Sequence, residues 1–203
     1  MTRDGPASPV VVTWLRHGSV AGRANVLRGT ADEALSESGR RELQAALARL
    51  NGRYERVICS PRRRCADFAV EFAREQALPL TPLAELAEMD FGAWEGLSAA
   101  EIRARDGDAY ERFRADPNSL CPPGGESWAA FSTRVARGIE QAALGSGPVL
   151  ALTHAGVIRA VLAQALNIAP GDASRIALAP AAWTRVSYLA GHPPVLLELQ
   201  SHC

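Results

Sequence analysis

Lysine is missing from this chain: all 22 of its basic residues are arginine. That excludes a Schiff-base amine and the lysine of a phosphate-binding P-loop. Histidine is scarce, with four in 203 residues, and neither H-x-x-x-H nor C-x-x-C spacing occurs. A zinc site needs three or four ligands at recognisable spacings, so no metal is expected. The four cysteines, Cys59, Cys65, Cys121 and Cys203, have no disulfide or metal spacing and suit a reducing compartment. A cysteine-nucleophile phosphatase needs Cys-x5-Arg, but the sixth residues after Cys59, Cys65 and Cys121 are Cys65, Glu71 and Ser127. No apolar run of about eighteen residues occurs, and no basic segment precedes a long apolar stretch at the N-terminus. The expectation is therefore a cytoplasmic protein with no membrane partner. Formal net charge is zero, so the electrostatic footprint of a nucleic-acid binder is lacking and any anion must be held by a local cluster.

The chain is long enough, at 203 residues and 47% hydrophobic, for one sizeable core in a single domain. Apolar runs at Val10 to Leu15, Val57 to Cys59 and Val149 to Thr153 read as buried strands, with a further extended piece near Leu80 to Leu83. Helical patterns follow at about Ser36 to Leu50, capped by Ser36 and stopped by Gly52, from Ser60-Pro61 with proline at the first helical position, over Glu126 to Leu144, and from Val157 to Leu166. Ser98-x-x-Glu101 is a capping box. Two strands, Thr184 to Leu189 and Val195 to Leu199, end the chain around a Gly-His-Pro-Pro turn. The fold class expected is α/β, with a mostly parallel central sheet and helices on both faces. The turn-rich stretch from about 98 to 125 reads as a small cap over the strand ends. Asp106-Gly107-Asp108 has the Asp-x-Asp pattern of an aspartate nucleophile, but it follows a charged helical stretch and reads as a surface turn.

Chemistry concentrates at the strand ends. Arg16-His17-Gly18 follows the first strand directly and His154-Ala155-Gly156 follows the Val149 to Thr153 strand. Ligands of open α/β sheets bind outside the carboxyl ends of the strands, so both histidines should face a crevice. The other two, His192 and His202, lie in the C-terminal region. Ser60-Pro61-Arg62-Arg63-Arg64 places three arginines at a helix start, which is mildly unfavourable unless an anion binds there. The run Glu88-Met89-Asp90-Phe91-Gly92-Ala93-Trp94-Glu95-Gly96 sets three carboxyl groups among aromatics, a setting that suits general-acid work.

In order along the chain, Arg16-His17-Gly18, Ser60-Pro61-x-x-Arg64, Glu88-Met89-x-Phe91-Gly92-x-Trp94-Glu95-Gly96, Gly124-Gly125-Glu126-Ser127 and His154-Ala155-Gly156 resemble the motifs of the histidine phosphatase superfamily, which includes the cofactor-dependent phosphoglycerate mutases. The resemblance covers nearly the whole chain and implies a phosphoglycerate mutase-like fold. Within the superfamily the compact length and the Phe-Gly-x-Trp-Glu-Gly and Pro-Pro-Gly-Gly-Glu segments are most similar to the α-ribazole phosphatases of cobalamin biosynthesis. It implies that His17 is a nucleophile forming a phosphohistidine, that Arg16, Arg64 and His154 clamp the phosphoryl oxygens, and that Glu88 is the general acid and base. Ser19, Arg28 and Ala155 would join Arg16, Arg64 and His154 in binding a small phosphomonoester, with no cofactor and no metal. The superfamily commonly continues its first motif as Arg-His-Gly-Glu-Thr with an asparagine a few residues later. Here Ser19-Val20 follow, then Arg23, with Asn25 displaced, which leaves open whether Arg23, Asn25 or Arg28 reaches substrate. A phosphoglycerate mutase-like phosphotransferase, a broad-specificity small-molecule phosphatase and a phosphate-binding module without turnover are the alternatives. A homodimer is also open, and exposed Trp or Phe would mark its surface.

Overall fold

The computed structural model describes residues 8–201; His202 and Cys203 lie outside the described residues. Its elements are β1 (Val10–Arg16), α1 (Glu37–Leu50), β2 (Arg56–Cys59), α2 (Arg63–Glu75), β3 (Leu80–Pro82), α3 (Ala99–Asp106), α4 (Ala109–Ala115), α5 (Trp128–Ala143), β4 (Val149–Thr153), α6 (Ala155–Leu166), α7 (Pro170–Ala173), β5 (Trp183–Tyr188) and β6 (Val195–Gln200). One sheet runs in the order β3-β2-β4-β1-β5-β6. The β3, β2, β4 and β1 pairings are parallel, and β5 and β6 add an antiparallel edge.

The apolar runs form strands buried on both faces, and the period of two divides their side chains. Val12, Trp14, Ile58, Val149 and Ala151 join α5 and α6 in one core cluster. Leu15, Val57, Cys59, Leu150 and Leu152 join α1 and α2 in another on the opposite face. Helices therefore cover both faces. Along the edge strand β6, Val195, Leu197 and Leu199 are exposed at alternate positions. No Trp or Phe is among the exposed large apolar side chains of the described residues.

Several helix boundaries differ from those expected: α5 starts at Trp128 behind a Ser127 cap rather than at Glu126, and α6 starts at Ala155 rather than at Val157. The helix α1 keeps its Ser36 cap, whose Oγ accepts from Gly39 N at 3.0 Å, but Asn51 rather than Gly52 ends it, in the left-handed region at φ 40°. Asparagine tolerates that conformation, so glycine is not needed. The helix α2 begins at Arg63, not at Pro61. Ser60 N is committed to Leu152 O of the neighbouring strand at 2.9 Å, and Ser60 Oγ accepts from Arg62 N at 3.3 Å, which makes Ser60-Pro61 a turn. The anion at the start of α2 belongs to the protein: Arg63 N donates to Asp32 Oδ1 at 2.8 Å.

Residues 98–125 form α3, opened by the full capping box of Ser98 and Glu101, then α4 and a turn. Asp106-Gly107-Asp108 is a turn with Gly107 at φ 65°, and Asp106 is used structurally, accepting from Trp94 Nε1 at 2.7 Å.

The loop after β1 rests on the start of α1 with backbone against backbone. An added Cβ on Gly39 would lie 1.9 Å from Ser19 O, and one on Gly18 would lie 2.1 Å from Gly39 O. Since neither neighbour is a flexible side-chain end, Gly39→Ala should destabilise the fold by about 1–3 kcal/mol or more through overpacking. Urea unfolding measures this, and an unchanged midpoint would show that the two segments can part freely.

Candidate active site

Parallel pairing of β1 with β4 sets Arg16 against Thr153, so the two histidines emerge side by side. His17 N donates to Thr153 O at 2.9 Å. The rings of His17 and His154 meet edge to face with centroids 5.2 Å apart. In front of them lies a cavity of about 450 Å³ whose walls include Arg16, His17, Ser19, Arg28, Glu88 and Ala155. Arg64 and His154 stand behind this wall, fully buried.

The state of His17 follows from its surroundings. Nδ1 lies 2.7 Å from Gly18 O, and a carbonyl can only accept, so Nδ1 carries the proton and the Nε2 lone pair is free. Burial, reinforced by the Arg16 cation, lowers its pKa to about 3. His17 is thus neutral at neutral pH, with its ring oriented and Nε2 unprotonated. Arg16 gives Nη1 to Leu178 O, while its buried Nε has no partner among the described residues. Burial lowers the Arg16 pKa, and the Glu88 carboxylate opposes that shift.

Arg64 Nε donates to His154 Nδ1 at 3.2 Å, Nη1 donates to Ala31 O at 2.5 Å, and Nη2 donates to Arg28 O and Gly29 O at 3.1 and 3.0 Å. Because His154 Nδ1 accepts, its Nε2 carries the proton and donates to Ser60 Oγ at 2.7 Å. Burial, then the neighbouring Arg64 cation, hold the His154 pKa well below the ordinary histidine value.

Glu88 sits across the cavity and accepts from Met89 N and Gly156 N, each at 2.9 Å. Its segment is clamped from behind by Arg134, which donates to Glu85 O, Ala87 O and Glu88 O at 3.0, 2.7 and 3.0 Å. Arg134 is itself held by both carboxylate oxygens of Glu126 at 2.8 Å. Of the other acidic residues in that run, Glu95 accepts from Gly29 N and Thr30 N, and Asp90 accepts from Gly92 N. Both organise backbone.

Ser19 reaches the cavity with its hydroxyl already given to Glu42 at 2.8 Å. Arg28 is paired with Glu33 and with Arg23 O, while Arg23 pairs with Glu101 at 2.7 Å. Asn25 lines the cavity with its backbone left-handed at φ 55°. Sequence reasoning missed Glu42, Arg134 and Arg159. Arg159 also lines the cavity. It lies one helical turn beyond Ala155, and that spacing would have found it. Arg134 likewise lies two turns beyond Glu126. Among the described residues no three His, Cys, Asp or Glu side chains converge as a metal site would require, and no helix is long and apolar enough to cross a membrane.

A parallel-centred sheet with two histidines at adjoining strand ends, a buried and a half-buried arginine and a facing glutamate is the arrangement of the phosphoglycerate mutase-like class. The chain belongs to the histidine phosphatase superfamily (branch 1), whose profile matches residues 12–200. It is 37% identical over 177 residues to a bifunctional protein of Mycobacterium tuberculosis, a match that covers 84% of this chain and 48% of that one. The chain thus spans about half the length of the first curated relatives it matches. An adenosylcobalamin/alpha-ribazole phosphatase of Salmonella typhimurium is 27% identical over 183 residues, covering 88% of this chain and 91% of the relative. Among solved structures, a mycobacterial glucosyl-3-phosphoglycerate phosphatase superposes with a TM-score of 0.84 at 26% identity, covering 97% of this chain and all of that one.

The buried neutral histidines tie stability to pH. In the folded state His17 stays neutral down to about pH 3, whereas in the unfolded chain it takes up a proton below about 6.5. His154 behaves in the same sense. Stability is therefore full above about pH 6.5 and is lost as pH falls, by about 1.4 kcal/mol per pH unit for each histidine. Denaturant midpoints measured from neutral to mildly acid pH should flatten by about one proton in His17→Gln. Equal slopes in the two proteins would contradict the burial account.

Proposed function

We propose that the chain is a metal-independent phosphomonoesterase working through a phosphohistidine on His17. The observation that carries this reading is the ring of His17, fixed by Nδ1–H to Gly18 O and kept neutral by burial beside Arg16. Nε2 attacks phosphorus, the ester P–O bond breaks, and protonated Glu88 gives its proton to the departing alkoxide. Water then attacks the phosphohistidine while Glu88 takes its proton. The P–N bond breaks, and phosphate and neutral His17 are left. A transferring phosphoryl group spreads its charge over three oxygens. Arg16 Nε, unpartnered in the free site, supplies one donor to them. Arg64 closes the clamp from behind by turning Nε away from His154 Nδ1, and His154, whose one N–H is given to Ser60, serves by holding Arg64 in place.

For substrate we propose α-ribazole 5′-phosphate or the corresponding adenosylcobalamin 5′-phosphate, a reading supported by the likeness to the Salmonella phosphatase along 91% of its length. The fold likeness to the mycobacterial enzyme supports a second reading, glucosyl-3-phosphoglycerate. Phosphate release in the presence of chelator, from both esters, 3-phosphoglycerate and simple nucleotides, separates them. The α-ribazole ester is expected to have the highest kcat/KM, and a preference for glucosyl-3-phosphoglycerate would favour the second reading. His17→Ala should abolish turnover and the phosphoenzyme trapped by alkaline quench, and Glu88→Gln should slow turnover by about 10²–10⁴-fold. Full activity in His17→Ala, or loss of activity to chelator, would overturn the mechanism.

A further inference from the structure

Beside the catalytic crevice lies a second, largely apolar cavity. The two share walls at Leu27, Phe91, Gly156 and Arg159. Beyond that shared wall the second cavity is closed by Tyr110 and Phe113 of α4 and by Trp128 and Phe131 of α5. Phe91 and Phe113 meet edge to face there, with centroids 6.5 Å apart.

Arg159 stands where the cavities join, and its bonding is poor. Nε and Nη2 both turn to one carbonyl, Ile176 O, at 3.4 and 3.3 Å. Among the described residues it has no carboxylate within ion-pair distance. Burial lowers its pKa, the Glu88 carboxylate opposes that shift, and the nearby Arg114 cation adds to it. A desolvated guanidinium without a strong acceptor is unfavourable on its own account. A planar guanidinium at the mouth of an aromatic pocket is suited to stack on a ring that enters it.

We propose that this cavity seats the alcohol part of the substrate and takes a planar aromatic ring, with Arg159 as the specificity-determining residue that stacks on it. The proposal rests on the phosphomonoesterase reading and adds the pocket, and the residue at its mouth, that would receive an aromatic part of the leaving alcohol. An apolar lining gains by covering an aromatic ring. Arg114 also lines this cavity but gives Nη2 to Ser174 O at 2.8 Å, and a carboxylate in the same place would lose its water to otherwise mostly hydrocarbon neighbours.

The test compares phenylalkyl phosphates of increasing linker length with alkyl phosphates of matching length, and with 3-phosphoglycerate. Within each matched pair the alkoxides leave with similar basicity, so a difference in kcat/KM reports the pocket. The phenyl esters should be favoured by at least about tenfold once the linker lets the ring pass Arg159. That preference should fall in Arg159→Leu and in Tyr110→Ala. Tyr110 is half-buried and its variant is the safer one to fold, whereas Phe113 is part of the core. Equal hydrolysis of phenyl and alkyl esters overturns the subsite and leaves the phosphatase reading standing. A preference for 3-phosphoglycerate also overturns it, by showing that Arg159 takes a carboxylate. Failure to hydrolyse any ester would overturn the phosphatase reading and the subsite with it.

Discussion

A guanidinium sealed from water must be met by acceptors on every side that its donors face, and Arg64 is such a group. Unpaired, a buried cation costs several kcal/mol. The loop at residues 28–31 therefore turns three carbonyls inward onto it. Backbone that points its carbonyls one way presents N–H groups another way, and Glu95 collects those of Gly29 and Thr30. A carboxylate and a guanidinium thus hold the same loop from opposite sides. The fourth acceptor is His154 Nδ1, which fixes the tautomer of that ring and sends its proton to Ser60.

In a chain without lysine, arginines divide the labour. Arg134 is structural: its fork joins Glu126 to three carbonyls and so fixes the path of the segment that carries Glu88. Arg64 is both structural and adjacent to the chemistry. Among the described residues that line the crevice, Arg16 keeps a buried donor in reserve. A planar fork with fixed donors suits all three uses, where a flexible ammonium would suit few of them.

Much of this was legible in the sequence because the decisive signals are local. Apolar runs ending in histidine gave β1 and β4, and their parallel pairing places His17 beside His154. The Ser36 cap and the Ser98–Glu101 capping box act within one helical turn. What was missed depends on partners distant in sequence. The start of α2 moved to Arg63 because Ser60 continues the ladder with Leu152. The anion inferred at that helix start is Asp32, brought there by the same loop that encloses Arg64. Ser19 is tied to Glu42 because two glycines let the loop after β1 lie on α1, an approach that no periodicity encodes.

Glu88 lies against the first turn of α6 where position 156 has no side chain: a Cβ there would fall 2.1 Å from Glu88 Oε1 and would push the carboxylate to another place. The carboxyl group assigned to proton transfer is thereby bound to a residue with no chemistry of its own. The aromatic cavity beside it is walled by side chains drawn from several elements, so its shape can change one wall at a time. Position 156 admits a side chain only at the cost of moving that carboxylate. The most innovable part of the molecule and its least innovable letter stand on the same cavity wall.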